Sequence, residues 1–333
     1  MAKRVLLMRL SAMGDVAMTV PVVYSLAKAN PDIRITMLSA PRLQALFANI
    51  PNIKFIGVDT KGRHKGINGI WRLSKEISAD GKYDQMVDLH DVLRSKMLRT
   101  LLRFRGVEVT TIDKGRAEKK ALVNGKKKRQ LTPMIERYQQ TFERAGYKFK
   151  IDYAGFDTAI DVDLDSDLHL DTHGANIGIA PFAQHDGKIY PLEKMEKVVE
   201  NISALNVGVY LFGGGKSEES VFDSWAKKYP NVFSLAGKYK LQEEMSAMKK
   251  MNLMVTMDSA NMHLASLCGV RVVSIWGATH PYMGFYGYGQ KLEDAIVANL
   301  DCQPCSAYGS KPCKFGDKRC LTQISPEMIS GKI

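Results

Sequence analysis

The chain has 333 residues, of which 45% are hydrophobic and 25% charged, with a formal net charge of +12. That composition excludes a disordered chain, a collagen-like fibre and a disulfide-dense miniprotein, and the length suits two domains. No apolar run approaches the roughly 18 residues that span a bilayer. The opening MAKRVLLMRL is interrupted by Arg9 and followed by no small-residue cleavage site, so neither a signal peptide nor export is expected. The charge is lopsided. Residues 1–150 hold 30 Lys and Arg against 13 Asp and Glu, whereas residues 151–333 hold 17 against 22. The basic half is expected to face an anionic partner: nucleic acid, a phosphorylated lipid or saccharide, or an anionic membrane surface.

In chain order, KRVLLMRL (3–10) reads as a buried strand closed by Ser-Ala-Met-Gly, and 15–29 carries apolar residues at helical spacing up to Asn30-Pro31. IRITMLSA is a second strand, 42–49 helix-like, KFIGVD a third strand, 68–79 a helix, YDQMVDL a fourth strand and 93–103 a helix. Such alternation predicts a parallel sheet covered on both faces. The pattern weakens over 104–172. The basic, glycine-broken stretch 114–130 reads as a mobile surface loop. The aspartates Asp161, Asp163, Asp165 and Asp167 read as a linker or edge strand. An EF-hand starting at Asp161 would place Ser166 and Thr172 where Gly and Glu are needed, so calcium is not expected.

Alternation restarts with strands at 176–182, 207–215, 231–237, 253–258 and 271–277, separated by helices over 192–203, 217–228, 241–250 and 259–268. The expected fold class is α/β with two doubly wound domains, residues 1–170 and 171–333, facing each other across a cleft. In open α/β sheets ligands bind at the carboxyl ends of strands, so the residues just after each strand carry the chemistry.

Four such strand ends stand out. Ser11-Ala12-Met13-Gly14-Asp15 is a glycine turn running into a helix, with Asp15 either a plain first-turn acid or a general base. A dinucleotide fingerprint needs three glycines, and only Gly14 is present. The second strand end, 180–191, offers Lys188 as a point charge for phosphate. Gly213-Gly214-Gly215-Lys216-Ser217 allows close backbone approach, but Tyr210 occupies the position where a phosphate-binding P-loop has its first Gly. The fourth, Asp258-Ser259-Ala260-Asn261-Met262-His263, places Asp258 to cap a helix whose Ser259 and His263 share one face. Lastly, Cys302, Cys305, Cys313 and Cys320 form C-x2-C-x7-C-x6-C, a candidate for structural zinc and otherwise free thiols.

Together and in this order, RLSAMGDV and MDSANMHLA above all, these stretches resemble glycosyltransferase family 9, the heptosyltransferases of lipopolysaccharide core assembly. The sequence departs from the family pattern in places. Ala260 stands where the family has Gly, Lys188-Ile189-Tyr190-Pro191 stands for Lys-x-Trp-Pro, and Ala183 and Gln184 occupy positions where some members carry hydroxyls. The resemblance implies a GT-B architecture of two Rossmann-like domains, with acceptor in the first and nucleotide-sugar in the second. It implies inverting transfer of heptose or a related sugar from an ADP-activated donor, without a catalytic metal or other cofactor, to an anionic glycolipid at the inner face of the cytoplasmic membrane.

By position, Asp15 would be the base and Lys188 would neutralise the diphosphate. Ser11, Gly14, Gln184, Gly214, Glu218 (or Glu219), Asp258, Ser259, Ala260 and His263 would hold the donor. Lys61, Arg63 and Lys65, with the 114–130 stretch, would meet the anionic acceptor and membrane. Two alternatives remain at this point: another nucleotide-sugar enzyme such as a 2-epimerase, and a basic nucleic-acid-binding protein. The second is disfavoured because aromatics are not interleaved with the basic residues as base stacking requires.

Overall fold

The computed structural model describes residues 2–125, 128–156 and 174–333. These divide into two compact units. The first comprises Met1–Lys114 and Met134–Ala154, and the second Gly115–Pro133 and Gly155–Ile333. The expected boundary near residue 170, and the aspartates at 161–167, lie outside the described residues.

The first unit is built on five parallel strands in the order β3-β2-β1-β4-β5. They are β1 (Arg4–Met8), β2 (Arg34–Ser39), β3 (Ile53–Gly57), β4 (Gln85–Asp88) and β5 (Glu108–Thr111). The central strand β1 is almost wholly buried because helices cover both sheet faces, which is why it reads as a continuous apolar run. The helix expected over 15–29 is two helices, α1 (Met13–Ala17) and α2 (Val20–Ala29). Pro21 has no N–H to give to Ala17, so the ladder breaks there. The 41–47 stretch is a 3-10 turn rather than an α-helix, with Pro41 at its start. Two longer helices, α3 (Gly66–Ala79) and α4 (Leu93–Arg103), follow β3 and β4. Ile70, Leu73, Ile77, Leu98 and Leu102 pack with Leu6, Met8 and Met86 of the sheet.

The second unit carries six parallel strands in the order β11-β10-β9-β6-β7-β8. They are β6 (Asn176–Ala180), β7 (Gly208–Leu211), β8 (Val232–Ser234), β9 (Leu253–Met257), β10 (Arg271–Trp276) and β11 (Ala295–Val297). The intervening helices are α7 (Leu192–Ser203), α8 (Lys216–Lys228), α9 (Leu241–Lys249) and α10 (Ala260–Leu267).

The 114–130 stretch corrects a sequence expectation. Within it Arg116–Val123 form helix α5, and the division into units puts Lys114 with the first unit and Gly115 onward with the second. Leu122 packs with Leu131 and Met283. Lys119 is 4% exposed, with its ammonium 4.1 Å from the Phe285 ring centroid. The dense charge concealed a short apolar face at helical spacing. The chain then returns to the first unit through α6 (Met134–Arg144), whose buried side holds Tyr138 and Phe142. No helix among the described residues is long and apolar enough to cross a membrane.

Candidate active site

Both sheets reverse direction once, and that reversal selects the site. In a doubly wound sheet the loops flanking the reversal diverge and leave a crevice at the strands' carboxyl ends. In the first unit the reversal falls between β1 and β4, paired so that Met8 lies beside Asp88. In the second it falls between β6 and β9, with Ala180 beside Thr256. The segments after those four strands contain Asp15, His90, Lys188 and Asp258.

Asp15 occupies the third position of α1. Its Oδ2 accepts from the Ala12 amide at 3.3 Å, the back-bonding expected of a first-turn acid. The same oxygen lies 2.5 Å from Arg9 Nη2. Arg9 is 4% exposed, while Asp15 keeps 23% of its side chain in solvent. Arg9 also donates Nη1 to the Leu89 carbonyl at 2.9 Å. The guanidinium therefore ties the β1 turn to the end of β4 and fixes the carboxylate's direction. Tyr138 donates its hydroxyl to the Asp15 carbonyl at 3.2 Å.

His90 follows β4 and offers Nδ1 to the Leu10 amide at 3.4 Å. Burial, then the nearby charges of Arg9 and Lys114, push His90 down to about 3, so it is neutral near pH 7. Asp88 is structural: its Oδ1 accepts from the His90 and Asp91 amides, and its Oδ2 accepts from Arg99.

In the second unit Lys188 Nζ lies 2.8 Å from Asp258 Oδ2, with side-chain exposures of 16% and 5%. Thr279 donates its hydroxyl to the same oxygen at 2.7 Å. Lys188 can reach Asp258 because the backbone crowds there. A Cβ on Gly309, whose φ is +78°, would fall 2.6 Å from Lys188 Cγ. A Cβ on Gly277 would fall 2.4 Å from the Gly187 carbonyl. Gln303 secures this packing by donating Nε2 to the carbonyls of Trp276, Gly277 and Thr279.

Ser259 caps α10 in an extended conformation without a side-chain capping bond. Its Oγ is buried and has no hydrogen-bond partner among the described residues. No acid occupies the first turn of α10, whose first amides carry the positive end of the helix dipole. His263 is buried one turn later.

The glycine loop after β7 is closed by Glu218, whose Oε2 accepts from the Gly214 amide at 2.9 Å. A Cβ on Gly213 would fall 2.4 Å from that oxygen. Glu219 lies instead against Gly237, after β8. The geometry thus separates two acids that the sequence leaves interchangeable. Burial raises Glu218. Glu244 of α9, absent from the sequence expectations, is pushed up to about 7 by burial and then by the Glu218 charge. Ser11, Gln184 and Gly214 are exposed in the loops expected of them, and Gly14 is partly exposed in the first turn of α1.

Lys61, Arg63 and Lys65 are exposed in a turn built by Asp59. Its carboxylate accepts from the amides of Lys61, Gly62 and Arg63, which hold Asp59 below the usual carboxylate range. Arg63 also pairs with Glu76. Cys302, Cys305, Cys313 and Cys320 line a single cavity with Asp186, Lys311 and Lys318. Burial pushes Cys320 up to about 11, whereas the amides of Phe315, Lys318 and Gly316 lower Cys313. Among the described residues no group of three or more His, Cys, Asp or Glu is arranged to hold a metal ion.

Two parallel α/β units, each with charged side chains following the strands at its topological reversal, define a doubly wound α/β protein. The family model for glycosyltransferase family 9 (heptosyltransferase) matches residues 70–315, and the chain belongs to that family. It is 25% identical to lipopolysaccharide heptosyltransferase 1 of Pseudomonas aeruginosa, with 99% of this chain and 97% of that protein covered. It is 23% identical to a lipopolysaccharide core heptosyltransferase of Haemophilus influenzae, covering 99% and 96%. Among solved structures, a family 9 glycosyltransferase from Veillonella parvula superposes with a TM-score of 0.76 at 25% identity, covering 98% of this chain and 95% of that one. An E. coli heptosyltransferase with ADP-2-deoxy-2-fluoro heptose superposes at 0.68 and 18% identity, covering 92% and 97%. The fold is that of these transferases.

Proposed function

We propose that the protein transfers heptose from ADP-heptose, with inversion, to a phosphorylated lipopolysaccharide-core acceptor at an anionic membrane surface. Asp15 acts as the base. Its carboxylate takes the proton of the acceptor hydroxyl as that oxygen bonds to the anomeric carbon. The bond from that carbon to the diphosphate oxygen breaks on the opposite face, and the leaving ADP carries away the electron pair. Lys188 and the first amides of α10 meet the charge that develops there, which is where fixed positive charge lowers a barrier most.

The observation that carries this reading is the second-unit cluster. Lys188 is held 2.8 Å from Asp258 at the start of α10, beside a buried Ser259 hydroxyl with no partner among the described residues. Asp258 orients the ammonium, whose other two hydrogens remain available for phosphate oxygens. Glu218 and Glu244 suit the hydroxyls of a ribose, as acceptors and, for a protonated Glu244, as a donor. The printed names of the relatives support heptose and a lipopolysaccharide acceptor, and the ADP-heptose analogue of the E. coli protein supports the nucleotide. Membership of a transferase family selects transfer over epimerisation. The chemistry assigned to Asp15 and Lys188 needs no catalytic metal.

A thermal-shift panel tests the donor. ADP is expected to raise the melting temperature, by roughly 2.7 kcal/mol of added stability at a hundredfold excess over Kd, with UDP and GDP giving far less. A shift with UDP and none with ADP would assign a different donor.

A further inference from the structure

The first unit exposes four large apolar side chains: Ile67 at 71%, Trp71 at 49%, Leu93 at 75% and Phe104 at 86%. All four belong to α3 and α4 or cap them. The two helices are neighbours. Arg105, just past α4, donates Nη1 to the Ser74 carbonyl of α3 at 2.7 Å and also reaches the Ser78 hydroxyl. Their inner faces are spent on the core, so these four side chains belong to the outer faces.

The same outer faces expose Lys65, Arg72, Lys75, Lys96 and Arg103. The only acid in either helix is Glu76, which Arg63 and His64 already engage. Lys75 Nζ sits 5.4 Å from the Trp71 ring centroid. Soluble surfaces usually scatter their exposed apolar residues singly, and several on two neighbouring helices, among polar residues, mark a contact surface. Tryptophan and phenylalanine settle at the headgroup boundary of a bilayer, and lysine and arginine bind its anionic lipids.

We propose that the outer faces of α3 and α4 form a docking surface for an anionic lipid bilayer. Trp71 and Phe104 enter the headgroup boundary, and Arg72, Lys75 and Arg103 meet lipid phosphates. The proposal rests on the reading above, in which the acceptor is an anionic glycolipid. It moves the contact from the 114–130 stretch, of which Arg116–Val123 form a helix of the second unit, to these helices. Both helices start at the carboxyl edge of the first sheet, the edge that also carries Asp15, so Ile67, Trp71 and Leu93 lie toward the side of the base, and Phe104 lies at the far end of α4.

The test uses flotation of the full chain with vesicles. One set contains phosphatidylethanolamine with phosphatidylglycerol, and the other phosphatidylcholine alone. Wild type is expected to bind the anionic set at least about tenfold more tightly, and to be released by salt. Trp71→Ser with Phe104→Ser should weaken binding at least about tenfold. Arg72→Gln, Lys75→Gln and Arg103→Gln should each cost about fivefold. All are surface changes, so melting temperatures and transfer to a delipidated, water-soluble acceptor should stay at wild-type values.

Equal binding to both vesicle sets, or variants that bind as wild type does, would overturn the docking surface. So would concentration-dependent self-association that the Trp71 and Phe104 changes abolish, because a second copy would then be the occupant. Vesicle binding that persists while no heptose is transferred would instead overturn the functional reading and leave the docking surface standing.

Discussion

Replacing Asp15 with Asn is expected to lower kcat by roughly 10²–10⁴-fold, the usual contribution of a positioned general base. The amide keeps the shape of the carboxylate and its bond to the Ala12 amide, so donor binding should change little. Stability should fall modestly. Arg9 is almost fully buried and would lose its ionic partner while keeping its bond to the Leu89 carbonyl. That separation matters, since a loss of rate from unfolding would appear as a lower fraction of active enzyme, not as a lower single-turnover rate. Asp15→Glu gives a second reading of the same residue. The charge survives but the oxygens move outward by about one bond, and misplacement of that size can cost around 10² in rate. Near wild-type rates in either folded variant would remove Asp15 as the base.

The second large effect is at Lys188. Lys188→Met is expected to damage both folding and catalysis, for different reasons. Asp258 is 5% exposed, and without the ammonium it keeps only the Thr279 hydroxyl. Removing one partner of a buried ion pair typically costs about 3–5 kcal/mol. Combining Lys188→Met with Asp258→Asn removes the stranded charge, so the double variant should recover most of that stability. It should not recover activity, because the charge opposite the departing diphosphate is still missing. Denaturant melts and single-turnover kinetics on both variants separate the two roles. A double variant that regained near wild-type turnover would show that Lys188 serves only to satisfy Asp258.

The strand ends were legible in the sequence because a buried parallel strand reads as an apolar run, and Asp15, Lys188 and Asp258 lie in the segments that follow such runs. Helices with a clear 3.6 period, such as Leu93–Arg103 and Leu192–Ser203, were equally plain. What the sequence concealed depends on distant partners. Arg9 looks like a stray charge at the end of a strand, and only the fold shows it gripping Asp15 and the Leu89 carbonyl. Gln303 and Thr279 act on loops that tertiary packing brings to them. Glu244 titrates high because the fold buries it and sets it near the charge of Glu218, on a different helix. Helix α5 was hidden by its own lysines, which mask Leu122 and Val123. The exposed faces of α3 and α4 are hidden in the sequence for a related reason: Trp71 and Phe104 fit an ordinary core pattern until their exposure is known.

The most direct measurement is mass spectrometry of a purified phosphorylated core acceptor after incubation with enzyme and ADP-heptose. Heptose transfer predicts that the acceptor gains the mass of one heptosyl residue, matched one for one by released ADP. Consumption of ADP-heptose with an unchanged acceptor, or recovery of the sugar as an epimer, would contradict it.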